Sequence, residues 1–249
     1  MRRLGLIGGM SWQSTAIYYR HMNEIARERL GDLHSADLIL RSLDFADVAE
    51  RQHSGDWEGL GDMLAAAGRD LERAGAKAIV LCTNTMHLLA ERIEAAVAIP
   101  LIHIADATAA AVRQSPARNP ALLATRFTME RDFYRGRLLA AHGLPTVIPD
   151  EGARAAIHRI IYEELCQGIV KPESKRQYVA EVGRLRQQGA DGVILGCTEI
   201  TMLIGQDDFD IPVFDTTWLH SKAAMDFALA ASQAGRDGVH SPAERRAER

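Results

Sequence analysis

The chain has 249 residues, 47% of them hydrophobic and 25% charged, with 33 acidic against 29 basic side chains and a formal net charge of -4. That composition supports one large or two modest apolar cores and gives no general attraction to nucleic acid or to a membrane surface. Three cysteines, an odd number without close pairing, fit a reducing compartment rather than a disulfide scaffold.

No apolar run approaches the length of a membrane span. Met1-Arg2-Arg3 leads directly into an apolar stretch, Leu4 to Ile7, so the expectation is a cytoplasmic protein without a leader. From there strand and helix alternate. Leu4-Gly5-Leu6-Ile7 reads as a buried strand running into Gly8-Gly9-Met10-Ser11, and Ser11 can cap a helix carrying Ile17, Tyr18, Met22, Ile25 and Leu30. The glycine pair has two readings: it lets a ligand approach the backbone, or it serves a tight strand-to-helix turn for steric reasons alone. Ala36 to Leu43 is the second strand. Asp44 to Glu50 follows, then a loop from Arg51 to Trp57 at the same strand-end face, which brings Gln52 within reach of a ligand.

Trp57 to Ala74 reads as a helix leading to the strand Ala78-Ile79-Val80-Leu81, a short continuous apolar run of the kind buried in a parallel sheet. It stops at Cys82. Thr83, Asn84 and Thr85 follow at the mouth of a helical pattern, so their hydroxyl, amide and backbone N–H groups make an anion site beside a thiol. Leu101 to Ile104 reads as the fourth strand and Asp106 to Arg113 as a helix. Gln114 to Pro120 has the breaker composition of a junction. Ala121 to Ala124 begins the second half and ends at Thr125. Helical patterns over 129–142, 153–167 and 173–188 surround a short strand at Thr146 to Ile148. The strand Gly192 to Leu195 leads to Cys197, and Val213 to Asp215 precedes a last periodic helix from Thr217 to Ala231. Residues 235–249, with Pro242 and arginine-rich ends, read as a flexible tail.

The chain repeats itself. LERAGAKAIVLCTNT, from Leu71 to Thr85, is answered by LRQQGADGVILGCTEI, from Leu185 to Ile200. Cys197 lies 115 residues after Cys82, and the same shift carries Tyr19-Arg20 onto Tyr134-Arg135; Gly189 lies 114 after Gly75, and Ile211-Pro212 lies 112 after Ile99-Pro100. Nearly constant offsets in one order imply a duplicated α/β unit. The expected divisions are 1–105 together with a returning helix at 216–234, then 106–215. Two such halves about an approximate two-fold would aim their equivalent strand ends at one shared cleft, each bringing one thiol.

Two thiols across an anion-binding cleft suit the inversion of a carbon acid, in which one group removes a proton from one face and the other delivers a proton to the opposite face. A cysteine serves because its ordinary pKa, near 8.5, can be lowered at a helix N-terminus. A pyridoxal route is disfavoured: the only lysines are Lys77, Lys171, Lys175 and Lys222, none at a strand end beside a phosphate loop. His87 follows Cys82 by five residues, but no set of four metal ligands closes around it; capping or packing is the expected role. Cys166, inside a helical stretch, reads as a small core hydrophobe. Asp106 and Asp215 follow their strands as caps or loop ties.

The segments Gly8-Gly9-Met10-Ser11-Trp12, Cys82-Thr83-Asn84-Thr85-Met86-His87, His103-Ile104-Ala105-Asp106-Ala107-Thr108 and Gly196-Cys197-Thr198-Glu199-Ile200 resemble the cofactor-independent aspartate/glutamate racemase family, and within it the broad-specificity bacterial amino-acid racemases. The resemblance spans about residues 3 to 231. It implies two flavodoxin-like, doubly wound, mainly parallel halves with the active site between them, no cofactor and no metal. It also implies Cys82 and Cys197 as the acid/base pair, with Met10, Gln52, Thr83, Asn84, Thr85, Thr125, Thr198 and Glu199 lining the substrate site. Glutamate racemases place an acidic residue soon after the first strand and a histidine after the second Cys-Thr. Here Met10 or Ser11 and Glu199 stand there, which points away from strict glutamate specificity. Aspartate-specific members place a basic residue near a helix end before a glycine, where this chain has Cys166. The expected substrate is therefore a free amino acid, neutral or polar at least as readily as aspartate. An aspartate racemase, a dicarboxylate isomerase or decarboxylase, and a non-catalytic amino-acid-binding protein are the competing readings. A homodimer is an open possibility for the assembly.

Overall fold

The computed structural model describes residues 1–31 and 33–233; the tail expected at 235–249 lies outside them. The first lobe runs β1 (Leu4–Gly8), α1 (Trp12–Leu30), β2 (Leu38–Ser42), α2 (Phe45–Ser54), α3 (Trp57–Arg73), β3 (Ala78–Leu81), a 3-10 turn at Thr85–Leu89, α4 (Ala90–Glu94) and β4 (Leu101–Ile102). Its sheet is parallel, in the order β2-β1-β3-β4. The helix α5 (Ile104–Arg113) follows. The second lobe has β5 (Ala121–Ala124), α6 (Arg126–Glu130), α7 (Asp132–His142), α8 (Glu151–Glu163), α9 (Pro172–Gln187), β6 (Val193–Gly196) and β7 (Val213–Asp215), with a parallel sheet β5-β6-β7. A parallel bridge from Ala121 to Val147 occupies the flank of β5 that β2 occupies beside β1.

Burial explains the strand composition: every residue of β1, β3, β5 and β6 is buried, so aliphatic side chains fill both faces. The helix α3 shows the complementary logic. Asp56 caps it by accepting the Gly59 N–H at 2.9 Å, and Leu60, Leu64, Ala67 and Leu71 form its buried stripe. Gly75 ends the following turn at φ +94, where its N–H reaches the Glu72 carbonyl and that of Ala76 reaches Leu71. Gly189 has the same φ of +94, with matching bonds from Gly189 to Arg186 and from Ala190 to Leu185. The Ile79 and Val193 N–H groups likewise donate to the carbonyls of Pro100 and Pro212, both at 2.8 Å. These parts of the sequence repeat are structural equivalents.

The pair Tyr19 and Tyr134 is not. Tyr134 is fully buried and hydrogen-bonded to Thr108, whereas Tyr19 is 58% exposed; its neighbour Tyr18 is the buried tyrosine of α1. Other expected boundaries also move. The fourth strand stops at Ile102 because His103 turns its Nδ1 onto the Ala105 N–H and caps α5. The helix expected over 129–142 is interrupted at Arg131, whose extended backbone (φ -90, ψ 150) separates α6 from α7. Residues 51–54, expected in a loop, complete α2 up to Gly55.

The lobes are tied by α10 (Thr216–Gln233). Its Ala224, Met225 and Ala228 pack into the β1/β3 core with Leu4, Leu6, Tyr18 and Cys82, although the helix leaves β7 of the second sheet. Trp57 lies edge-on to Phe127, with ring centroids 5.4 Å apart, and beneath the Arg131 guanidinium at 4.3 Å. Three imidazoles cluster where the lobes and α10 meet: His87 lies 4.6 Å from His103 and 5.6 Å from His220, centroid to centroid. Burial first, and then the neighbouring imidazoles, holds His87 well below its ordinary range. Burial is also the main cause that lowers His103 and His220 to about 4.

This cluster sets a pH dependence. The unfolded chain protonates these imidazoles near pH 6.5 while the folded one refuses the protons, so stability is independent of them above neutrality and falls as pH drops from about 6.5 towards 4. Thermal melting should shift down by about 5 °C or more between pH 7 and pH 5, and His103→Asn, which retains a capping side chain, should flatten that slope. A melting temperature unchanged across this interval would show that the imidazoles titrate freely in the folded protein.

Candidate active site

Parallel strands deliver their carboxy ends to one edge of a sheet, and the turns after β1, β3, β5 and β6 supply all the candidate residues except Gln52, which comes from α2. Gly8-Gly9-Met10-Ser11 leaves β1. Gly9 has φ +90, and a Cβ there would lie 2.1 Å from the Leu43 carbonyl oxygen, so the glycine serves the packing of this turn on the end of β2. Of the two readings of the pair, the steric one holds. The turn then presents Met10 inward, and Ser11 caps α1 by accepting the Ser14 N–H.

The turn after β3 is fixed from both sides. The Cys82 N–H continues the sheet by donating to Ile7 at 2.9 Å. His87 donates from Nδ1 to the Thr83 carbonyl at 2.7 Å and accepts the Ile104 N–H at Nε2, which settles its role as a neutral brace. Asn84 donates from Nδ2 to Thr216 Oγ1 at 3.1 Å, and that hydroxyl spends its proton on the Leu195 carbonyl at 2.8 Å. The chain of donors orients the amide: Asn84 Oδ1 is left as a buried acceptor with no partner. Thr85, from this turn, meets Thr125 and Thr128 across the lobes at 3.0 and 3.4 Å.

From the second lobe come Cys197, Thr198 and Glu199 at the end of β6, the last two in a 3-10 turn over Thr198–Met202. Cys197 donates its thiol to Glu199 Oε2 at 3.1 Å, while Ser11 and Ser14 both donate to Oε1 at 2.7 Å. Burial, then the Glu199 carboxylate and Cys166, pushes the Cys197 thiol well above its ordinary range. Gln52 is buried on α2, donating to Met86 Sδ and accepting the Tyr162 hydroxyl at 3.3 Å.

These groups line a cavity of about 410 Å³, its open mouth included. Nine of the ten residues singled out from the sequence line it: Met10, Gln52, Thr83, Asn84, Thr85, Thr125, Cys197, Thr198 and Glu199. Cys82 does not. It is fully buried in the β1/β3 core, its Sγ 3.8 Å from the Val80 carbonyl, and burial pushes its thiol upward. Cys166, expected as a core residue, packs half-buried against the second lobe's core from a 3-10 turn at Leu165–Gln167 and also lines the cavity. Ser14, Phe45, Ile161 and Tyr162 were not anticipated. Only Ser14 carried a signal, being a serine inside a helix three residues after a serine cap.

A sequence profile places the chain in a class: it belongs to the Asp/Glu/Hydantoin racemase family, whose profile matches residues 7–224, and it is a racemase enzyme. A crystal structure from Yersinia pestis, provisionally assigned as an Asp/Glu racemase, is 51% identical, covers 92% of this chain and 100% of its own, and superposes with a TM-score of 0.87. An aspartate racemase homologue from Pyrococcus horikoshii is 36% identical over 92% of this chain and 99% of its own, with a TM-score of 0.80. The broad specificity amino-acid racemase RacX of Bacillus subtilis is 23% identical over 91% of this chain and 98% of its own. Among the described residues no helix is long and apolar enough to cross a membrane.

The orientation of Asn84 yields a test. Thr216→Val removes the hydroxyl that pins the amide and leaves two buried polar groups unpaired, which should cost about 1–3 kcal/mol. Thermal denaturation should show a loss of several degrees that Thr216→Ser largely restores. Equal melting of Thr216→Val and the parent would mean that the amide is held by other contacts.

Proposed function

We propose that this protein is a cofactor-independent amino-acid racemase that inverts the α-carbon with Cys82 and Cys197 as its two acid/base groups, and that it accepts neutral and polar amino acids. The observation that carries the reading is the cavity itself. Thr83 from one Cys-Thr strand end and Cys197 and Thr198 from the other line it, and none of the residues lining it is Lys, Arg or His. Hydroxyl groups of Thr83, Thr85, Thr125 and Thr198 offer donors for an α-carboxylate and for the enediolate-like charge that develops as the α-proton leaves. The unpaired Asn84 Oδ1 offers an acceptor for the α-ammonium group. One thiol removes the α-proton as a thiolate and the other protonates the opposite face. Cys197 already lines the cavity. Cys82 reaches it in this reading by rotating its Sγ from the Val80 carbonyl into another staggered position.

The Pyrococcus neighbour, described as an aspartate racemase homologue, favours aspartate as a second reading. Against it stands the absence of a cation in the lining: Arg51, on α2 beside Gln52, is paired with Asp56, and Cys166 occupies the wall. A second carboxylate buried without a partner would cost several kcal/mol.

Chiral chromatography of each common amino acid, incubated with purified enzyme without pyridoxal phosphate or added metal, tests both points. Cys82→Ser and Cys197→Ser should each lower turnover about 100-fold or more, because an alcohol is too weak an acid to serve as the thiolate does. Near-parental turnover of both enantiomers by either variant would refute the two-thiol mechanism. A kcat/KM for aspartate more than about 100-fold above that for neutral polar amino acids, worth roughly 2.7 kcal/mol, would refute the breadth.

A further inference from the structure

Glu199 is buried at 5% exposure, yet none of its three hydrogen bonds comes from a cation: two come from hydroxyls of the first lobe and the third from a thiol of the second. Charged donors ordinarily compensate a buried carboxylate. Here Ser11 and Ser14 saturate Oε1 and leave Oε2 directed at Cys197 Sγ. The side chain is thus oriented from one lobe and acts on a thiol of the other.

We infer that Glu199 is the positioning residue that holds the proton of Cys197, and that Ser11 and Ser14 set its aim across the lobe boundary. The inference rests on the racemase reading above and adds to it the resting state of one thiol. The step it implies is a single proton transfer. Cys197 Sγ–H and the Glu199 carboxylate become a Cys197 thiolate and a Glu199 carboxylic acid, with the proton crossing the 3.1 Å between Sγ and Oε2 and no change in oxidation. The thiolate so formed is the base for one enantiomer. With the proton returned, the thiol is the acid for the other. Cys82, whose Sγ lies 3.8 Å from the Val80 carbonyl, has no such carboxylate companion among the described residues, so the two thiols stand in unlike surroundings.

The groups that face Cys197 from neighbouring elements are Cys166, Tyr162 on α8 and Tyr178 on α9. Burial pushes all three upward and keeps them neutral at physiological pH, and the carboxyl group hydrogen-bonded to the thiol is that of Glu199. The ionisation of Cys197 should therefore report directly on this one carboxylate.

The experiment is the pH dependence of Cys197 alkylation by iodoacetamide in the full-length protein, followed by peptide mass spectrometry with no substrate present. Glu199→Gln, which keeps the shape and removes the charge, should lower the midpoint of Cys197 alkylation by about one pH unit or more. Glu199→Asp, whose carboxylate is drawn back by one methylene, should lie between parent and Gln variant. Ser14→Ala should reduce kcat about tenfold, a loss typical of a misaligned proton-transfer group, with KM changed less. An unmoved or raised midpoint in Glu199→Gln overturns the inference; should that variant fail to fold, an unmoved midpoint in Glu199→Asp does so. Because alkylation needs no substrate, failure to racemise any amino acid would sink the functional reading alone, whereas an unmoved midpoint in an active enzyme would sink this inference alone.

Discussion

A parallel sheet cannot scatter its chemistry. All its strands end on one edge, and their last carbonyls and the first N–H groups of the following turns crowd together there with few backbone partners. In this chain two such edges confront each other, and the polar residues that follow β1, β3, β5 and β6 become the walls of a single cavity. The strands need only be buried and aliphatic. Everything specific is left to the turns, which explains why residues as far apart in sequence as Ser11 and Glu199 can share one hydrogen-bond network. The helix α10, which leaves β7 of the second sheet, ties the two edges together by packing Ala224, Met225 and Ala228 against β1 and β3.

Much of this frame was legible in the sequence because it is repeated there. Gly75 and Gly189 share a left-handed φ and the same pair of helix-ending bonds, and the Ile-Pro pairs present their proline carbonyls to equivalent strands. A backbone requirement of this kind leaves a residue-specific mark. Tyr19 misled because a constant offset carries no statement about direction, and on a helix a shift of one residue turns a side chain by about 100°, from the core to solvent. Gln52 was placed on the right face but in the wrong element, since the helix α2 continues four residues beyond Glu50, where its apolar pattern has already run out.

The site was less legible where it depends on rotamers and on helix ends. Cys166 belongs to a short turn created by the break at Glu164, and nothing in the apolar period announces such a break. The direction of the Cys82 thiol is similarly invisible in sequence, because a residue at a strand end can aim at the core or at the cleft without any change in its backbone. Asn84 is the contrary case. Its role as an acceptor follows from Thr216, 132 residues away, whose own proton is committed to Leu195; only the folded chain brings that partner into view.

The unlike surroundings of the two cysteines bear on what such an enzyme is able to favour. Mirror-image amino acids have equal free energies in water, so the ratio of forward to reverse kcat/KM is fixed at unity by the Haldane relation, whatever the cavity contains. A carboxylate beside one thiol and an aliphatic core around the other cannot tilt that balance. They can only redistribute it, giving one enantiomer tight binding with slow turnover and the other weak binding with fast turnover. A duplicated scaffold is thus free to diverge around its two thiols without any thermodynamic penalty to the overall reaction; under the two-thiol mechanism proposed above, the difference between the surroundings of Cys82 and Cys197 would set the working concentration range for each hand of the substrate.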